Sequence, residues 1–210
     1  GVENDNWSGW SLSLSGNGQR VAIGAPVYNT PVENRPWIIR KGHVRVFHND
    51  NGNWTQLGRD IEGIERLDSY GEDNISLSFD GNVMAIGVSE TNKQIANKKG
   101  YVKLFMFDEN NNWTQLGNKI IGENHERIGE SISLSADGMR IAIGSSHTNG
   151  IVRVYEYNNN NNRWEQLGSD SDFRYQYIHG HNTGSSISLS SDGNYLAISS
   201  SGHLVNKYKG

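Results

Sequence analysis

The sequence predicts an all-β fold of short antiparallel strands. Three observations carry this: a composition rich in turn formers, hydrophobic alternation with a period of two, and one motif that recurs four times. Of the 210 residues only 34% are hydrophobic and 25 are Gly, with Asn and Ser abundant. Gly tolerates φ > 0, and Asn and Ser side chains bond their own backbone, so this balance favours tight turns over long helices.

The repeat fixes the order of the strands. An inner strand reads Leu12-Ser-Leu14, Ile75-Ser-Leu77, Ile132-Ser-Leu134 and Ile187-Ser-Leu189. A tight turn follows: Gly16-Asn-Gly18 in the first copy, then Asp80-Gly81, Asp137-Gly138 and Asp192-Gly193. Asp-Gly is among the strongest hairpin signals. A short apolar strand comes next, ending Ala22-Ile-Gly24, Ala85-Ile-Gly87, Ala142-Ile-Gly144 and Ala197-Ile-Ser199. A third strand alternates after Gly42, Gly100, Gly150 and Gly202. Asn-rich turns then lead to Trp54-Thr-Gln-Leu-Gly58, Trp113-Thr-Gln-Leu-Gly117 and Trp164-Glu-Gln-Leu-Gly168, with no fourth counterpart. The period is about 55 to 63 residues, the range of blades and arrays. A radial set of four-stranded antiparallel sheets satisfies the pattern. The predicted fold is therefore a β-propeller with three complete blades and a fourth lacking its outer strand. Its single domain spans 1–210, with blades near 1–63, 64–122, 123–180 and 181–210.

The order Gly-x-Ser-x-Ser-Leu-Ser-x-Asp-Gly, Ala-Ile-Gly, Gly-x-Val-x-Val-Tyr resembles the FG-GAP repeat of integrin α-subunit propellers and their bacterial and algal relatives. The resemblance runs through residues 1–210 and implies a propeller fold. It also implies an acidic calcium loop between the first two strands, and here the sequence departs from it. Calcium takes about 6–8 oxygen ligands. One carboxylate per turn (Asp80, Asp137, Asp192) does not supply them, so no metal site and no cofactor are expected.

Function classes narrow next. A net charge of −4 gives no basic field for nucleic acid or an anionic membrane. No apolar run approaches the roughly 20 residues that span a bilayer. The absence of Cys removes disulfides and thiol chemistry. No Gly-x-Ser-x-Gly elbow or phosphate-cradling Gly loop occurs. His179 and His181 lack a third ligand nearby, and Glu62/Glu65 and Asp170/Asp172 read as solvated loop pairs. The chain is expected not to be an enzyme. It begins with Gly, which reads as a processed protein or an excised segment.

Departures from the repeat mark candidate contacts. The second-to-third-strand and fourth-to-first-strand connections should emerge together on one face. There the non-repeated aromatics Trp7, Trp10, Tyr28, Trp37, Phe173 and Tyr175 are the candidate ligand-binding residues, since rigid scaffolds present binding groups on loops. Trp54, Trp113 and Trp164 recur in register and are expected to pack between blades. Sequons at Asn6, Asn53, Asn74 and Asn112 are candidate glycosylation sites, although a chain of this composition yields about that number by chance. The missing outer strand leaves an edge open to pairing. The resulting expectation is a non-catalytic extracellular or cell-surface structural or adhesion module that self-assembles through that edge. Its partners would be proteins, copies of itself included, and glycans. The alternative is a lectin-like or protein-binding propeller using the aromatics.

Overall fold

The computed structural model describes residues 7–26, 29–30, 39–40, 42–63, 74–89, 99–147, 150–168 and 182–201. Among these there is no helix. Sheet 1 contains β1 (Leu12–Leu14) and β2 (Arg20–Ala25). A small hairpin of β3 (Asn29–Thr30) and β4 (Ile39–Arg40) follows. Sheet 1 then continues with β5 (His43–Asp50), β6 (Asn53–Gln56) and β7 (Ile61–Glu62). Sheet 2 contains β8 (Ile75–Leu77), β9 (Val83–Val88), β10 (Tyr101–Phe107), β11 (Trp113–Gln115) and β12 (Ile120–Ile121). Sheet 3 contains β13 (Ser131–Leu134), β14 (Arg140–Ser145), β15 (Ile151–Asn158) and β16 (Arg163–Leu167). Sheet 4 pairs β17 (Asn182–Leu189) with β18 (Leu196–Ser201).

Each full sheet is an antiparallel meander in chain order, as the alternation predicts. The outer strand differs from expectation. It does not end at Trp-x-Gln-Leu-Gly: β6 and β7 both pair with β5, and β11 and β12 both pair with β10. Gly58 and Gly117, at φ +75° and +72°, break each outer strand in two. The third strand expected after Gly202 lies outside the described residues.

The core sits between sheets. Alternation sends one side of each strand forward and the other back, so sheets 1 to 3 each have two apolar faces. Ile75, Leu77, Met84 and Ile86 of sheet 2 pack with Ala22, Val44, Val46 and Ile61 of sheet 1. Ile132, Leu134, Ile141 and Ile143 of sheet 3 pack with Ala85, Val102, Leu104 and Ile120 of sheet 2. Ala142 and Val154 receive Leu189, Ile187 and Leu196 of sheet 4. The inner-strand serines tie the stack: Ser13, Ser76 and Ser133 accept the amides of Leu77, Leu134 and Leu189 at 3.0, 3.1 and 2.9 Å.

The Ser-x-Asp-Gly turns are built alike. Ser78 Oγ donates to Asp80 Oδ1 at 2.7 Å, which also accepts Asn82 N–H, while Val83 N–H donates back to Ser78 Oγ. Ser135/Asp137 and Ser190/Asp192 repeat this. In sheet 1 Asn17 Oδ1 does the same work with Ser15. These carboxylates are therefore turn acceptors. Successive turns also join by backbone bonds, Asn17 N–H to Phe79 O, Phe79 N–H to Ala136 O and Ala136 N–H to Ser191 O.

Candidate functional site at the loop end

Opposite those turns, the connection from β12 to β13 meets the connection from β14 to β15. The β14–β15 connection is short, and polar side chains crowd where the two meet. Glu126 is buried and takes two bonds from the buried Arg153 guanidinium, at 2.7 and 2.9 Å. It also accepts Glu123 N–H at 2.6 Å. Its neighbours His125 and Arg127 hold φ of +68° and +52°. Non-Gly residues in this region carry strain of order 1–3 kcal/mol, which surrounding structure must overcome.

Around this fixed point stand Arg127, Glu130, Ser146 and His147. Glu130 accepts Ser146 N–H at 2.7 Å and Ser146 Oγ at 2.8 Å. Asn74 donates to the Glu130 carbonyl. Arg127 Nη1 meets His147 Nε2. Arg has no acceptor, so Nε2 accepts and the imidazole proton resides on Nδ1. Nδ1 lies 3.7 Å from Glu130 Oε2. An imidazole thus stands between a guanidinium and a carboxylate, its tautomer set by the former. Among the described residues no group of three or more His, Cys, Asp or Glu could hold a metal ion.

The repeat relates this cluster to sheet 1. Counting from the shared glycine (Gly9, Gly129), Trp7 corresponds to Arg127 and Trp10 to Glu130. Trp7 shares the φ of +52°. Trp7 and Trp10 are exposed and stacked, centroids 5.3 Å apart. Both lie at the loop end, as their place in the repeat predicts. Tyr28, Trp37, Phe173, Tyr175 and Asn6 lie outside the described residues, as do His179 and His181. Asn53 and Asn112 are exposed near the opposite, turn end. Trp113 and Trp164 pack between sheets, donating Nε1–H to Leu57 O at 3.0 Å and Leu116 O at 2.9 Å. Trp54 departs from that expectation and is 46% exposed.

A second charged pair lies in sheet 1, where Asp60 takes bidentate hydrogen bonds from Arg45. Those bonds, against the opposing effect of burial, hold Asp60 below the usual carboxylate range. Arg45, Lys103 and Arg153 occupy one third-strand position in three copies. That recurrence was the available signal for the buried Glu126–Arg153 pair, which sequence reasoning missed. Nothing in the sequence singled out Arg127, Glu130, Ser146 or His147, because their meeting depends on two separate loops, one entering sheet 3 and one within it.

No known family model matches the chain, and no curated protein is similar to it in sequence. Solved structures are. A 6-phosphogluconolactonase-like protein of Bacteroides uniformis ATCC 8492 is 19% identical with a TM-score of 0.52, covering 80% of this chain and 41% of its own. A second such protein, from Bacteroides fragilis NCTC 9343, is 16% identical with a TM-score of 0.48, covering 74% and 36%. Saccharomyces cerevisiae Sqt1 is 15% identical with a TM-score of 0.47, covering 79% and 35%. The chain thus spans less than half the length of each. The first likeness shows a fold of propeller type; among the described residues the antiparallel sheets are open and form no closed barrel. It also corrects the functional expectation. The adhesion module, its self-assembly and its lectin-like alternative rested on the repeat, and the fold this repeat builds is shared with a 6-phosphogluconolactonase-like protein. The exclusion of enzymes falls for the same reason.

Proposed function

We propose that the chain is an arc of a β-propeller built from FG-GAP-type repeats, sheets 1–3 being complete blades and sheet 4 a blade without its outer strand. Its loop end binds a small anionic ligand at Arg127, Glu130, Ser146 and His147. The observation that carries the site is the imidazole of His147 held between the Arg127 guanidinium and the Glu130 carboxylate. An entering anion pairs with Arg127 and draws it from Nε2. The freed nitrogen is then placed to take a proton, with the Glu130 carboxylate 3.7 Å from Nδ1 on the other side of the ring. Such a base suits attack of water on an ester or lactone carbonyl. Nε2 takes the water proton and returns it to the leaving oxygen. A lactone is also the substrate class in the name of the Bacteroides uniformis neighbour, which itself lends only the fold.

The test is direct. 6-Phosphogluconate is titrated while the His147 ring resonances are followed, and hydrolysis of the corresponding lactone is assayed. Binding is expected to disappear in Arg127→Ala. Hydrolysis is expected to disappear in His147→Ala with binding kept. His147 resonances that stay fixed at saturating ligand, with no hydrolysis above the uncatalysed rate, reject the site.

A further inference from the structure

Three junctions between sheets obey one set of rules. The forward face of a sheet offers two apolar residues from its first strand and one or two from its second, against the rear face of the sheet before it. Where the outer strands are complete, the indole N–H of the forward Trp donates to the carbonyl of the preceding Leu-Gly: Trp113 to Leu57 and Trp164 to Leu116. A first-strand Leu amide donates to the preceding Ser hydroxyl, as with Leu77 and Ser13. The residue opening the second strand covers the next turn glycine. Arg20, Val83 and Arg140 stand 2.8, 2.6 and 2.7 Å from a Cβ placed on Gly81, Gly138 and Gly193.

Sheet 1 presents every element of such a forward face, with nothing among the described residues packed against it. Leu12 and Leu14 are 62% and 61% exposed, where Ile75 and Leu77 are 6% and 8%. Trp54 is 46% exposed, where Trp164 is 4%. Val21, Ile23, Phe47 and Trp54 line a hollow of about 380 Å³. A Cβ on Gly18 meets nothing within 4 Å.

We propose that this face docks one further four-stranded sheet of the same repeat, in the place sheet 1 takes against sheet 2. The occupant is identified by what the face lacks. Trp54 needs the carbonyl of a complete Trp-x-Gln-Leu-Gly strand, and Leu14 needs an inner-strand Ser. A second copy of residues 1–210 does not supply both. Its sheets 1, 2 and 3 already spend their rear faces on sheets 2, 3 and 4, and residues 182–210 contain no Trp-x-Gln-Leu-Gly segment. The proposal rests on the blade reading above and not on the loop-end site.

The test adds such a sheet to the chain, in place of residues 1–6. A second copy of residues 74–126 is fused ahead of Trp7, so that it leads into sheet 1 as sheet 2 leads into sheet 3. Trp54, Leu12 and Leu14 occur once in this fusion and are read by radical labelling and mass spectrometry. Labelling of Trp54 is expected to fall to the level of Trp164, and that of Leu12 and Leu14 to the level of Leu77. The β signal in circular dichroism is expected to rise with the added sheet. An added copy that stays unfolded overturns the proposal. So does one that folds while Trp54 labels as before, an outcome that leaves the blade reading standing. Labelling of Trp54 in the unfused chain that falls with rising protein concentration would give the face to a second copy and also overturn it.

Discussion

At the turn end, Asn17, Asp80, Asp137 and Asp192 each accept a Ser hydroxyl and a backbone N–H two residues on. At the loop end, corresponding positions carry Trp7 and Trp10 in one sheet and Arg127 and Glu130 in another. The first set is interchangeable because its job is local: one oxygen in one place closes the turn. The second set is free to vary because the backbone there is held by other means. Gly87 and Gly144 bring each sheet against the next, where a Cβ would stand 2.1 Å from Gly129 O and 2.5 Å from Gly184 O. Side chains that do not hold the fold can differ from sheet to sheet.

The largest expected effect breaks the loop end from within. Glu126→Ala removes the buried carboxylate that takes two bonds from the buried Arg153 guanidinium, at a cost of about 3–5 kcal/mol. Urea unfolding measures this, and replacing both residues with Leu and Met should recover most of the loss. A loss below that of an exposed ion pair would show that the pair does not anchor the loop.

Gly87→Ala comes next. Its methyl meets a backbone carbonyl that has no rotamer to escape into, so a cost of about 1–3 kcal/mol is expected in the same assay. The fourth repeat already carries Ser199 at this position, where the hydroxyl accepts Ser186 N–H. Ser199→Gly should therefore move stability far less. Equal effects at the two positions would dissolve the contrast.

Ser135→Ala tests the turn end. It removes the hydroxyl that binds Asp137 and accepts Arg140 N–H, for a cost of about 1 kcal/mol by thermal or urea unfolding.

The smallest effect sharpens the comparison most. Asp80→Asn should change stability by less than about 0.5 kcal/mol at neutral pH, because Asn17 already fills the same role in sheet 1. Acid unfolding should separate the two forms. Burial works to raise Asp80, but the N–H of Asn82, the Ser78 hydroxyl and the Asn82 amide outweigh it and hold the carboxyl low. A depressed carboxylate stabilises above its ordinary value, near 3.9, and loses that contribution as pH falls through its folded-state value. Asp60 acts in the same direction. His43 is pushed down by burial and by the Arg45 charge, so the folded state resists a proton that the unfolded state accepts. Its penalty therefore begins as pH falls below about 6.5. Part of the acid limb should vanish in Asp80→Asn.

Sequence reading reached the scaffold well and the site poorly, for one physical reason. Strand alternation, Asp-Gly turns and the recurring Trp are short-range signals, so strand order and the between-sheet roles of Trp113 and Trp164 followed directly. The second halves of the outer strands, Ile61–Glu62 and Ile120–Ile121, were not legible, because two residues carry no period. The contact of Arg127 with His147 was not legible either, because it is made by two loops 20 residues apart. Trp54 repeats in sequence yet differs in burial, which depends on what stands in front of it.

The amide-to-carbonyl line from Asn17 through Phe79 and Ala136 to Ser191 links each sheet only to the next. Order in such a stack spreads from neighbour to neighbour. Hydrogen exchange should accordingly be slowest in the middle of the line, at Phe79 and Ala136, and quicken toward both ends. The stack of sheets would melt as a row frays, from its outermost members inward.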